Sequence, residues 1–99
     1  MSTALDLVFE KTRAENRAAL IAYIPAGFPS KSGCEKAIRA LADAGVDAIE
    51  IGFPYSDPIM DGPTIQEAAD ISLKGGTNAA DVFSALKVAS DTGVASVVM

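Results

Sequence analysis

Apolar positions along this chain follow two rhythms, one helical and one extended. Residues 2–16 place Leu5, Val8, Phe9 and Thr12 at the i, i+3, i+4, i+7 spacing of one helical face, and Thr3 with Asp6 is set to cap its start. Residues 19–24, Ala-Leu-Ile-Ala-Tyr-Ile, form a short continuous apolar run stopped by Pro25. A run of that length, apolar on both faces, suits a strand covered on two sides in a parallel sheet. Ser32 and Glu35 then read as a capping box, followed by Cys34, Ala37, Ile38, Leu41 and Ala42 on one helical face and by Gly45 as its terminator. Residues 47–51 give a second strand. The loop from Gly52 to Pro63 holds three prolines and two glycines in twelve residues, the composition of a loop with a defined shape. Thr64 and Glu67 open another helix, which Gly75-Gly76 closes. Asn78 caps a further one with the face Ala79, Val82, Phe83 and Leu86, ended by Gly93, and residues 94–99 read as a third strand.

The order is strand–helix–strand–helix–helix–strand with an extra helix in front. Such alternation specifies an α/β fold with a parallel sheet and right-handed crossovers. Three parallel strands alone would leave two open edges and one uncovered face. An eight-stranded (β/α)8 barrel of the TIM type takes about 250 residues, so the pattern predicts its first three strands. Residues 1–99 are therefore expected to be the N-terminal part of a single barrel domain.

Composition narrows the chemistry. Of 99 residues, 49% are apolar, there is no His, and Cys34 is the single cysteine. Histidine triads, His-ligated metals, CxxC redox chemistry and an internal disulfide are thereby excluded, and Cys34 reads as a small buried apolar side chain. Net charge is −5, distributed as +2 over residues 1–40 and −7 over residues 41–99, which argues against nucleic acid as a partner. The acidic, uncharacteristic start is no signal peptide, and no apolar run reaches the roughly 18 residues of a membrane span. A cytoplasmic location is expected.

Glu50 lies between Ile49 and Ile51 near the end of the second strand. Side chains alternate along a strand, so isoleucines packed on helices leave Glu50 facing the barrel interior, at the end where barrel active sites lie. The plainer alternative is a strand-edge Glu in solvent or in an ion pair with an Arg. Asp61 follows eleven residues later and can fold back over the same strand end. Two carboxylates over one cavity, one drier and one wetter, can divide acid and base roles. As turn residues, Asp57 before Pro58 and Asp61 before Gly62 need no such role. A calcium loop starting at Asp57 would lack its oxygen ligands at Ile59 and at Ala68, so no metal is expected. No phosphate-binding glycine motif is present, and Tyr23 reads as core or pocket wall.

The stretch from Ala48 to Gln66, AIEIGFPYSDPIMDGPTIQ, strongly resembles the signature of the tryptophan synthase alpha subunit family, and Pro25-Ala26-Gly27-Phe28-Pro29 resembles it more weakly. The resemblance implies a lyase that cleaves indole-3-glycerol phosphate to indole and glyceraldehyde 3-phosphate in tryptophan biosynthesis. It carries the catalytic Glu onto Glu50, as proton shuttle, and the catalytic Asp onto Asp61, as stabiliser of charge at the indole N–H. The indole-pocket positions fall on Tyr23 and Ile65. The loop with Pro54 and Asp57 resembles the surface that docks on a pyridoxal-phosphate-dependent beta subunit in an α2β2 complex, the alpha chain itself using no cofactor. Phe28 departs from the pattern, since many members carry Asp there. The family's phosphate-binding loops fall past residue 99, so these residues alone are expected to be inactive. The alternative function is a non-catalytic interaction or folding module that docks through its open strands.

Overall fold

The structure is a computed structural model that describes residues 3–55 and 62–99. Helix α1 spans Ala4–Ala14 and begins as its sequence requires. The Asp6 N–H donates to the Thr3 hydroxyl at 3.1 Å and the Thr3 N–H to the Asp6 carboxylate at 3.0 Å, a closed capping box. Strands β1 (Ile21–Pro25), β2 (Ala48–Gly52) and β3 (Ala95–Val98) form one parallel sheet in the order β1-β2-β3. Helix α2 (Lys31–Ala44) crosses from β1 to β2, while α3 (Pro63–Lys74) and α4 (Ala79–Asp91) together connect β2 to β3.

One face of the sheet is dry. Ile24, Ile49 and Ile51 pack with Cys34 and Ile38 of α2 and with Val82, Ala85, Val88 and Ala89 of α4. Burial of this apolar area is the main stabilising term. The other face is covered at the start of β2 and β3, where Ala48 and Ala95 are buried and α1 lies against β3, while Ile21 and Tyr23 of β1 are exposed on the sheet's free edge. Among the described residues β1 thus lacks the two-sided covering that its apolar run predicts, and its outward side chains meet solvent.

Three local readings are corrected. Helix α2 is capped by Ser30, not Ser32: Ser30 is extended at φ −155°, ψ 171°, and its hydroxyl accepts from the Gly33 N–H at 2.9 Å. Helix α3 starts from Gly62 with Pro63 in its first turn and has no side-chain cap, so Thr64 and Glu67 lie inside it. Proline has no N–H to satisfy at that position, and a cap is less needed. On α4 the buried face is Val82, Ala85, Val88 and Ala89, while Phe83 is 63% exposed. Two neighbouring stripes both met the helical spacing, and the alanines let the helix approach the sheet closely. The Asn78 cap and the left-handed Gly45 at φ 93° stand as expected, and the structure adds a reciprocal bond from the Asn78 N–H to the Asp81 carboxylate.

Arg17 and Asp47 tie the entrance of β1 to the entrance of β2. The Arg17 guanidinium donates to both Asp47 oxygens, at 2.8 and 3.0 Å, and the Leu20 N–H donates to the same carboxylate at 2.7 Å. The guanidinium first, and the Leu20 N–H second, hold the Asp47 carboxyl down from 3.8 to about 2. A carboxylate depressed in the folded state stabilises above its unfolded value and loses that contribution as pH falls through its folded one. Asp47→Asn should therefore lower the melting temperature most at neutral pH. The gap to the parent should then narrow between about pH 4 and pH 2. Melts at pH 6, 4, 3 and 2 measure this, and a gap that is constant with pH would exclude the ion pair as its source.

Candidate active site

The candidate chemistry lies midway along the strands, since Tyr23 and Glu50 are each the central residue of a five-residue strand. Glu50 is thus further from the strand end than its sequence suggests. In the sheet register Tyr23 of β1 stands beside Glu50 of β2, and Glu50 beside Val97 of β3. These three share the face opposite the core, because Ile49 and Ile51 on either side of Glu50 are fully buried against the helices. Glu50 is half-buried. The five ion pairs among the described residues do not include it. A structural bridge to an Arg is therefore not what holds a carboxylate at this strand position.

Tyr23 and Ile65 come together in space although 42 positions (65 − 23) separate them. Both line one groove of about 740 Å³ that runs along the free edge of β1, with Leu41 of α2 and Ile71 of α3 in its walls. Phe28 lines it too and packs against the core, so the position where the resembled family often has Asp is apolar here in its surroundings as well as its identity. Pro54 is buried, while the next residue, Tyr55, is exposed and its ring stacks on Phe53 at 5.9 Å. Asp57 and Asp61, the remaining residues of the predicted interface and catalytic pair, lie outside the described residues.

Some contacts that shape the site gave no sequence signal of their own. The Ser72 hydroxyl, fully buried on α3, donates to the Ala26 carbonyl after β1. Gly27 sits at φ 78°, and a Cβ there would run into the Thr77 hydroxyl. This close approach clamps the α3–α4 turn onto the β1 loop and so fixes the helix that carries Ile65. The one available clue was position: Ser72 continues the buried stripe of Ala68 and Ala69, where a polar residue needs a partner. The Thr77 hydroxyl is buried and has no hydrogen-bond partner among the described residues. Cys34 is 1% exposed and burial pushes its thiol up, which keeps it protonated and inert. Among the described residues no cluster of His, Cys, Asp or Glu could hold a metal, and no helix is long and apolar enough to cross a membrane.

Comparison with known proteins places this geometry. The sequence model of the family described as "Tryptophan synthase alpha chain" matches residues 9–99. The tryptophan synthase alpha chain of Salinispora arenicola is 48% identical over 95 residues, covering 96% of this chain and 36% of its own length. That of Nocardia farcinica is 50% identical over 91 residues, covering 92% of this chain and 34% of its own. The crystal structure of tryptophan synthase from M. tuberculosis in its aminoacrylate-bound form superposes with a TM-score of 0.94 at 46% identity, over 99% of this chain and 40% of that one. The alpha subunit from Legionella pneumophila gives 0.91 at 29% identity, over 100% of this chain and 38% of that one. The chain thus spans about a third of the length of the curated relatives it matches.

Proposed function

Since the chain belongs to the tryptophan synthase alpha chain family, we propose that its residues are the first three strands of a barrel that cleaves indole-3-glycerol phosphate to indole and glyceraldehyde 3-phosphate. The observation that carries the reading is Glu50: a half-buried carboxylate without an ion-pair partner among the described residues, midway along β2 on the face opposite Ile49 and Ile51. Such a group can both give and take a proton. The retro-aldol step asks for both. A proton is delivered to the indole ring carbon that bears the side chain, and the glycerol hydroxyl next to that carbon loses one as the carbon–carbon bond breaks. The electron pair of that bond returns to the indole ring, and the alcohol carbon leaves as the aldehyde.

Asp61 is assigned the charge that develops on the indole nitrogen, and Tyr23 and Ile65 flank the ring plane. Their shared groove supports that placement. The phosphate is assigned to loops beyond residue 99, because residues 41–99 carry a net −7 and would repel a dianion. Contact with a beta chain is assigned to the loop that carries Asp57, with the buried Pro54 anchoring its start. The partner's pyridoxal phosphate would serve a separate reaction, and the site proposed here uses no cofactor.

Release of indole from indole-3-glycerol phosphate tests the reading. Residues 1–99 joined to the remainder of a family-length barrel should turn over, faster when a beta chain is added, and residues 1–99 alone should not. A folded, family-length barrel that releases no indole would sink the assignment. Turnover by residues 1–99 alone would overturn the placing of the phosphate site, and binding of the beta chain without any turnover would favour an interaction module.

A further inference from the structure

Gly52 ends β2 two residues after Glu50 and pairs in register with Pro25, yet its nearest side-chain neighbour is Tyr23, which is registered with Glu50. The phenol of Tyr23 therefore leans along the sheet, past Glu50, to the very end of β2. A Cβ built on Gly52 would collide with the Tyr23 hydroxyl oxygen and would lie 2.5 Å from Cζ and 3.0 Å from Cε2. Real Cβ atoms essentially never approach so closely, so the ring cannot hold this position beside any other residue at 52. The backbone makes no such demand, because Gly52 is ordinary strand backbone without a positive φ. The glycine is explained by the ring.

Tyr23 is also the residue that can yield. It is 39% exposed at the free edge of the sheet, whereas Gly52 is buried. Adding a methyl group at 52 would swing the phenol away from the strand end while leaving the dry core of Ile49, Ile51 and Ile38 in place. We infer that Gly52 is a positioning residue that sets the Tyr23 ring over the end of β2, and so decides how a flat bicyclic aromatic is seated beside Glu50. The inference rests on the reading of Tyr23 as a wall for the indole ring.

The test is Gly52→Ala in a family-length barrel, with Tyr23→Ala and the double variant beside it. Crystal structures of parent and Gly52→Ala should show the Tyr23 ring displaced and the sheet unchanged. Affinity for indole itself should fall about 2- to 10-fold, the range of one aromatic contact. KM for indole-3-glycerol phosphate should rise more than kcat falls, since Glu50 is untouched. In the Tyr23→Ala background, Gly52→Ala should cost nothing further, and that non-additivity separates positioning of the ring from damage to the strand. Equal losses with and without the Tyr23 ring, or a ring that stays in place, overturn this inference alone. A ring that moves with no change in indole affinity overturns Tyr23 as an indole wall, and the seating role with it.

Discussion

Glu50→Gln in a family-length barrel should lower indole release by about 10²–10⁴-fold, with the melting temperature close to that of the parent. Glutamine keeps the volume and polarity of the side chain and removes only its capacity to carry a proton. Stability should hold because Glu50 has no ion pair among the described residues to lose, and its strand is secured by Ile49 and Ile51 on the opposite face. Steady-state turnover and thermal melts on the same preparations separate the two effects. Near-normal turnover from a folded Gln variant would remove Glu50 from the proton transfers. A melting temperature that collapses would instead mark it as a structural carboxylate.

Asp61→Asn should be the second severe substitution, with a loss of about 10²–10³-fold in turnover. The amide can still hydrogen-bond to an indole N–H through its carbonyl, but it cannot match the positive charge that protonation of the ring creates. Substrate affinity should change much less than turnover, because that charge exists in the transition state and not in the bound substrate. If Asn supports the same rate as Asp, a hydrogen bond was all that the position supplied. Combining both substitutions should cost less than the product of the single losses, since a proton transfer and the charge it creates belong to one step.

Rules that act within a few residues made much of the chain readable. The Thr3–Asp6 pair, the Asn78 cap and the terminator Gly45 act between neighbours a few positions apart, and the structure keeps each of them. Strand alternation put Glu50 opposite the two isoleucines for the same reason: its period is a property of the extended backbone itself. The choice of Ser30 over Ser32 and of Pro63 over Thr64 went the other way. Each pair offered competing local solutions, and sequence spacing does not rank solutions of similar energy.

The tertiary structure decided what no neighbour relation contains. Which stripe of α4 is buried depended on α2 and the sheet, so Phe83 faces water and Ala85 the core. The shared groove of Tyr23 and Ile65, and the clamp of Ser72 and Thr77 on the Ala26–Gly27 turn, join segments some 40–50 positions apart. The approach of Tyr23 to Gly52 is of the same kind. Periodicity reports which side of an element is apolar, and motif resemblance reports which residue types belong to the chemistry. Contact between distant elements is set by how their surfaces fill space together, and for Gly52 that alone gave the missing side chain its meaning.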